Sequence, residues 1–136
     1  MNLSVSTSNR PSKVLLAEDS PTQLEHTRMI LENSGLEVIA ANDGRDALAK
    51  ARQFRPDIVM TDIVMPLMDG YEVARRIRRM PECANTVLIA LTGWGQDMDR
   101  RQSREAGFHH HLVKPVDLDA LTSILSSTIP KPAADR

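Results

Sequence analysis

Short strand-like runs alternating with helix-patterned stretches constrain this chain more than any other feature. The runs are Val14–Ala17, Leu36–Ala41, Ile58–Met60, Val87–Leu91 and the more polar Phe108–Val113. The first, third and fourth are continuously apolar, as expected of strands covered on both faces. Between them, Ser20-Pro21-Thr22-Gln23 opens a helix: Ser20 caps it, Pro21 suits its first turn and Gln23 completes a capping box. Gly35 stops that helix. Asp43 caps a second helix with Ala47, Leu48, Ala51 and Phe54 on one side, and Pro56 ends it. Asp69-Gly70 leads to a third with Val73, Ala74 and Ile77 inward. A fourth is expected over Gln96–Ala106, and Asp117 caps a fifth carrying Leu118, Leu121, Ile124 and Leu125. This alternation predicts five parallel strands in an α/β, doubly wound sheet, with helices on both faces. Such sheets bind ligands beyond the carboxyl ends of their strands.

With 136 residues the chain has room for one domain, expected over residues 13–129. Residues 1–12 read as a disordered lead-in, and 130–136 as a flexible tail or linker start. Seventeen basic and eighteen acidic side chains leave a net charge of −1, so no overall field draws the chain to nucleic acid or an anionic membrane. The cluster Arg75-Arg76-Ile77-Arg78-Arg79 lacks stacking aromatics and reads as a solvated helix face. A single cysteine, Cys83, excludes an internal disulfide and a thiolate zinc site. The N-terminal stretch has no signal-peptide pattern and no apolar run approaches a membrane span, so the expected location is cytoplasmic.

The chemistry gathers at one rim. The first strand ends in Glu18-Asp19, the third in Asp62, the fourth in Thr92 and the fifth in Lys114-Pro115. Three crowded carboxylates call for a hard divalent cation, Mg²⁺ or alternatively Mn²⁺. A lysine and a hydroxyl facing the same point supply the donors a transferring phosphoryl group needs. A carboxylate at the centre can act as nucleophile and form an aspartyl-phosphate. The run His109-His110-His111 does not converge on a metal, because strand alternation sends His110 to the other face.

These motifs resemble the receiver domain of two-component response regulators, the CheY-like family. They are Leu15-Leu16-Ala17-Glu18-Asp19, Asp62 through Gly70, Ala90-Leu91-Thr92-Gly93 and Val113-Lys114-Pro115, in order and each after its own strand. The stretches 93–96 and 106–112 look most like receivers of hybrid sensor kinases. The resemblance implies a flavodoxin-like fold of strand order 2-1-3-4-5. It implies a signalling domain and not an enzyme, limited to self-phosphorylation and slow self-dephosphorylation. Asp62 would accept a phosphoryl group from a histidine kinase or phosphotransfer protein. Asp19, Asp62 and the Val64 backbone carbonyl would ligate Mg²⁺, with Glu18 acting through water. Thr92 and Lys114 would contact the phosphoryl group, and the Lys114–Pro115 bond would be cis. Thr92 and His111 would form the switch, with His111 where the family usually keeps tyrosine or phenylalanine. Output would pass through helix 4, strand 5 and helix 5 to a downstream protein or fused output domain, or to a dimer through that face, with no direct contact to nucleic acid or membrane. Val64 and Trp94 would flank the path of the hydrolytic water. An aspartate-nucleophile phosphatase of similar fold is the alternative. That chemistry commonly wants an acid two residues after the nucleophile, where this chain has Val64.

Overall fold

Five helices begin on a side chain that accepts a hydrogen bond from the third residue of the helix, and those caps fix where the sheet connections turn. The structure, a computed structural model, describes residues 12–93 and 99–128, with only the backbone of 127 and 128. Its strands are β1 (Lys13–Ala17), β2 (Glu37–Ala41), β3 (Ile58–Asp62), β4 (Val87–Thr92) and β5 (His110–Val113). Its helices are α1 (Pro21–Asn33), α2 (Gly44–Phe54), α3 (Gly70–Arg78), α4 (Arg100–Ala106) and α5 (Leu118–Thr128), with a 3₁₀ turn at Pro81–Cys83. Ser20 Oγ accepts from Gln23 N, Asp43 from Asp46 N, Asp69 from Glu72 N, Asp99 from Gln102 N, and Asp117 from Ala120 N. Each cap contributes about 1 kcal/mol.

The strands pair in the order β2-β1-β3-β4-β5, all parallel. Alternation along them divides the core between the two faces. Leu15, Val59, Leu88 and Ala90 pack with Ala47 and Ala51 of α2, Val73, Ala74 and Ile77 of α3, and Ala106 of α4. Val14, Leu16, Ile58, Met60, Ile89, Leu91 and Leu112 pack with Leu31 of α1 and Leu121 of α5. The doubly wound sheet is therefore as expected, with α1 and α5 on one face and α2, α3 and α4 on the other.

Two strands start later than the sequence suggests. Leu36, expected in β2, belongs to the end of α1: its amide bonds Leu31 O at 3.2 Å, while Gly35 N bonds Glu32 O at φ +89°. That pair of bonds is a helix-closing motif, which leaves Glu37 as the first strand residue. Phe108, expected in β5, likewise closes α4, its amide bonding Ser103 O at 3.1 Å across Gly107 at φ +107°. The helix expected from Gln96 is described from Arg100, with Asp99 as its cap. Trp94 and residues 96–98 lie outside the described residues, as do the expected lead-in except Ser12 and the expected tail.

The arginine cluster on α3 is not simply solvated. Glu72 pairs with Arg76 and Arg75, and these two contacts, Arg76 first, lower its carboxyl from the usual value. Arg78 Nη2 donates to Gly107 O at 3.1 Å, tying α3 to the turn after α4. Cys83 is buried, and burial pushes its thiol up from the usual value. Among the described residues no helix is long and apolar enough to cross a membrane.

Candidate functional site

The register of three parallel strands delivers Glu18, Asp62 and Thr92 to the same end of the sheet. Ala17 pairs with Thr61, and Asp62 with Leu91, so the residues that follow or end these strands share the carboxyl rim. Oxygen atoms of Glu18, Asp19 and Asp62 lie within 4.8 Å of one another, the one acidic or histidine cluster with metal-holding spacing among the described residues. Glu18 is 1% exposed and Asp62 5%, whereas Asp19 is open to solvent. Two buried carboxylates and one exposed carboxylate form a hard, oxygen-only donor set, which fits Mg²⁺ or Mn²⁺ and leaves room for water ligands.

Lys114 reaches this cluster from the end of β5. Its Nζ donates to Glu18 Oε1 at 3.0 Å, Asp62 Oδ2 at 3.0 Å and Gln23 Oε1 at 2.6 Å, which engages all three ammonium protons. Burial alone would lower the lysine pKa, but the hydrogen bonds and charges of Glu18 and Asp62 outweigh it and hold Lys114 above its usual value. At Glu18 burial dominates and raises the carboxyl, against hydrogen bonds from Lys114 and the Ser20 amide. The Lys114–Pro115 peptide bond is cis. The sequence marks Gln23 only as part of a cap. Its second role rests on a contact 91 residues away, and nothing local in the sequence signals it.

The remaining rim residues take different positions. Val64 N donates to Asp62 Oδ1 at 3.4 Å, and Val64 is 62% exposed. Thr92 is buried and its hydroxyl donates to Leu112 O at 3.5 Å, so it engages β5 and not Asp62. His111 does not enter the acidic cluster. Its Nε2 bonds the Ser103 hydroxyl of α4, and its ring lies 6.4 Å from Phe108. His109 Nδ1 instead accepts the Leu88 amide at 3.0 Å. Ser103, fully buried, is a second residue that sequence reasoning missed; only its spacing of three from Ala106 could have placed it inward.

The histidines make a pH prediction. Burial first, then Arg100 and His110, lowers the His111 pKa; burial first, then Arg78 and His110, lowers that of His109. In the unfolded chain both titrate near ~6.5. The unfolded state therefore binds protons first as pH falls, and stability present above about 6.5 is lost as pH drops toward the folded values. Glu18, whose folded pKa is raised, acts in the opposite direction nearer the carboxylate range. Thermal unfolding should show the midpoint falling by a few degrees as pH drops from above about 6.5 toward the lowered folded values. His109→Gln should flatten part of that slope, and a midpoint that rises over the window would contradict the assignment.

Residues 14–126 match the family model of the response regulator receiver domain. The chain is 32% identical over 118 residues to protein PilH of Pseudomonas aeruginosa, covering 87% of this chain and 98% of PilH. It is 29% identical to the polar-differentiation response regulator DivK of Brucella anthropi, covering 86% and 95%. Among solved structures, the chemotaxis response regulator CheY4 of Vibrio cholerae superposes with a TM-score of 0.79 at 31% identity, covering 88% of this chain and 100% of CheY4. The receiver domain of a Pseudomonas aeruginosa sensor histidine kinase, solved with a magnesium ion coordinated in its active-site cleft, gives a TM-score of 0.79 at 31% identity, covering 88% and 98%.

Proposed function

The chain belongs to the response regulator receiver domain family of two-component signalling, and from that premise we propose that Asp62 is its phosphoacceptor, loaded by a histidine kinase or phosphotransfer protein with Mg²⁺. The observation that carries this reading is the Lys114 ammonium lodged between Glu18 and Asp62, with the third carboxylate within 4.8 Å. Three carboxylates and one ammonium give the site a charge near −2, which a divalent cation neutralises. Asp19, Asp62 and the Val64 backbone carbonyl would hold the ion, with Glu18 acting through water. When bound, the ion supplies charge neutralisation for the phosphoryl oxygens.

The chain's own groups do the rest. Asp62 offers a carboxylate oxygen to the phosphorus, and the donor histidine leaves with the bonding electron pair. Lys114 already sits 3.0 Å from Asp62 Oδ2, so a small shift of its ammonium meets a phosphoryl oxygen without crossing the site. Thr92 gives up a long hydrogen bond to Leu112 O to donate to the same group. That exchange links acceptor chemistry to β5, and through β5 to a protein partner, a fused output domain or a dimer on the face of α4, β5 and α5. The domain is thus a binding switch over residues 13–129 and not a turnover enzyme. The reducing cell interior is its expected setting.

The test is acetyl phosphate with Mg²⁺ followed by intact mass measurement. The protein should gain one phosphoryl mass, lose it under alkaline hydrolysis, and gain nothing when the cation is chelated. No mass gain under conditions that preserve the fold would overturn the reading.

A further inference from the structure

We propose that Ser103 clamps the His111 ring against α4, so that α4 and β5 respond to the phosphoacceptor as one body while the ring itself stays in place. This rests on the phosphoacceptor reading above and departs from the rotating switch residue that the resemblance implies at His111.

The helix concerned is short, and beyond the Arg78 bond to Gly107 O that ties its end to α3 it buries few side chains. Of the seven residues of α4, only Ser103 and Ala106 are buried. Ala106 contributes a single methyl group to the core. Ser103 is 0% exposed, and its hydroxyl is bonded to His111 Nε2. A polar clamp thus replaces the apolar stripe that usually holds a helix to its sheet.

The ring is half-buried and has two further neighbours. The β4–β5 register sets His111 opposite Ala90, and Ala90 packs in the core on the α2, α3 and α4 face. Its small side chain leaves space for an imidazole. Phe108 stands 6.4 Å from the ring, tilted by 50°, and is itself packed edge-on against Tyr71 at 6.3 Å. Swinging the ring outward would leave the Ser103 hydroxyl buried without this partner. By the usual cost of an orphaned polar group, that lowers the outward population by roughly five- to hundredfold.

Thr92 is bound differently. Its bond to Leu112 O is 3.5 Å long, at the limit of a hydrogen bond, and is easily exchanged for a stronger acceptor. Thr92 and His111 lie on the same face of adjacent strands, two residue pairs apart in register. A phosphoryl oxygen that draws Thr92 away from Leu112 therefore releases β5 at the residue next to His111. Because Ser103 ties His111 to α4, the helix moves with the strand.

Ser103 is a positioning residue in this scheme, and its test reads the ring directly. The full chain, uniformly labelled with ¹⁵N, is titrated with beryllofluoride and Mg²⁺ as an acyl-phosphate mimic. Amide signals over 100–113 should shift while the His111 Nε2 signal keeps its hydrogen-bonded value. In the ligand-free protein, Ser103→Ala should speed amide exchange in α4 by about fivefold or more and move the ring signal toward that of free imidazole. Ser103→Thr keeps the hydroxyl and should keep the ring signal. Adding Ser103→Ala to His111→Phe should speed exchange no further, because the two groups act as one unit. A ring signal that becomes solvent-like on beryllofluoride addition, or additive effects of the two substitutions, would overturn the clamp. If beryllofluoride shifts nothing anywhere, the phosphoacceptor reading fails, and the exchange cycle in the ligand-free protein still decides the clamp.

Discussion

Asp62→Asn is expected to abolish the phosphoryl gain from acetyl phosphate while leaving the domain folded and no less stable. The amide keeps the shape of the carboxylate and an acceptor oxygen for Lys114, but it is not a nucleophile toward phosphorus. The stability side follows from charges on the same residue. Lys114 Nζ is 3.0 Å from Asp62 Oδ2, an attraction of about 5 kcal/mol at an effective dielectric constant of ~20. Glu18 and Asp19 oxygens within 4.8 Å each repel Asp62 by about 3.5 kcal/mol on the same scale. The two repulsions together slightly exceed the attraction, and Asp62 is also 5% exposed, so its ionised form carries a desolvation cost. Asp19 is solvent-exposed, which weakens its share. Urea denaturation in chelator should therefore place the variant between no change and a gain of about 1 kcal/mol. Added Mg²⁺ should stabilise the unaltered protein more than the variant, since one ligand has lost its charge. A variant that still takes up a labile phosphoryl group, or that loses more than about 2 kcal/mol without cation, would show that Asp62 is not the acceptor or that Lys114 depends on it alone.

The strand-ending residues were legible because each is a charged residue at or just after the end of its strand, and a parallel sheet sends all such ends to one rim. Glu18, Asp62 and Lys114 lie far apart in sequence, yet the 2-1-3-4-5 order leaves them no other place to meet. The caps were legible for a similar reason: Ser20, Asp43 and Asp117 bond amides three residues on, a contact local enough to read directly. What escaped depends on contacts between distant elements. Gln23 serves both its own helix and Lys114, and only the first role is local. Ser103 reads as one more polar residue of a polar helix. Its burial comes from contacts with distant elements, His111 of β5 among them, and is invisible in a segment whose apolar anchors, by sequence, are Met98 and Ala106 alone. The starts of β2 and β5 shifted because Leu36 and Phe108, apolar and strand-like, were taken up by the ends of the preceding helices. Hydrophobicity identifies a residue as buried but does not say which element buries it.

Gly70 is the position where the site and the fold depend on the same missing atom. It begins α3 directly after the cap Asp69, and its amide donates to Ile63 O at 2.8 Å. A Cβ there would lie 2.4 Å from Asp62 O, 2.8 Å from Ile63 Cα and 3.1 Å from Asp62 C. All three neighbours are backbone, so no side-chain rotation relieves the contact. The helix start must move off the end of β3, or the backbone carrying Asp62 must bend. Overpacking typically costs 1–3 kcal/mol, and a rigid backbone clash belongs at the top of that range, so Gly70→Ala should lose about 3 kcal/mol or more. For a domain of this size that lowers the thermal midpoint by on the order of 10 °C. The same displacement carries the Asp62 carboxylate away from Lys114, and misplacement of reacting groups by about 1 Å costs on the order of a hundredfold in rate. Acetyl phosphate uptake by the folded fraction should fall accordingly. Gly35→Ala provides the contrast, since Gly35 has φ +89° but a Cβ added there would meet nothing within 4 Å. It should cost only the left-handed backbone penalty of about 1–2 kcal/mol and leave phosphoryl uptake unchanged. Equal losses of stability in the two variants, or normal uptake by Gly70→Ala, would mean that the chain relieves the close approach at the start of α3 without displacing Asp62.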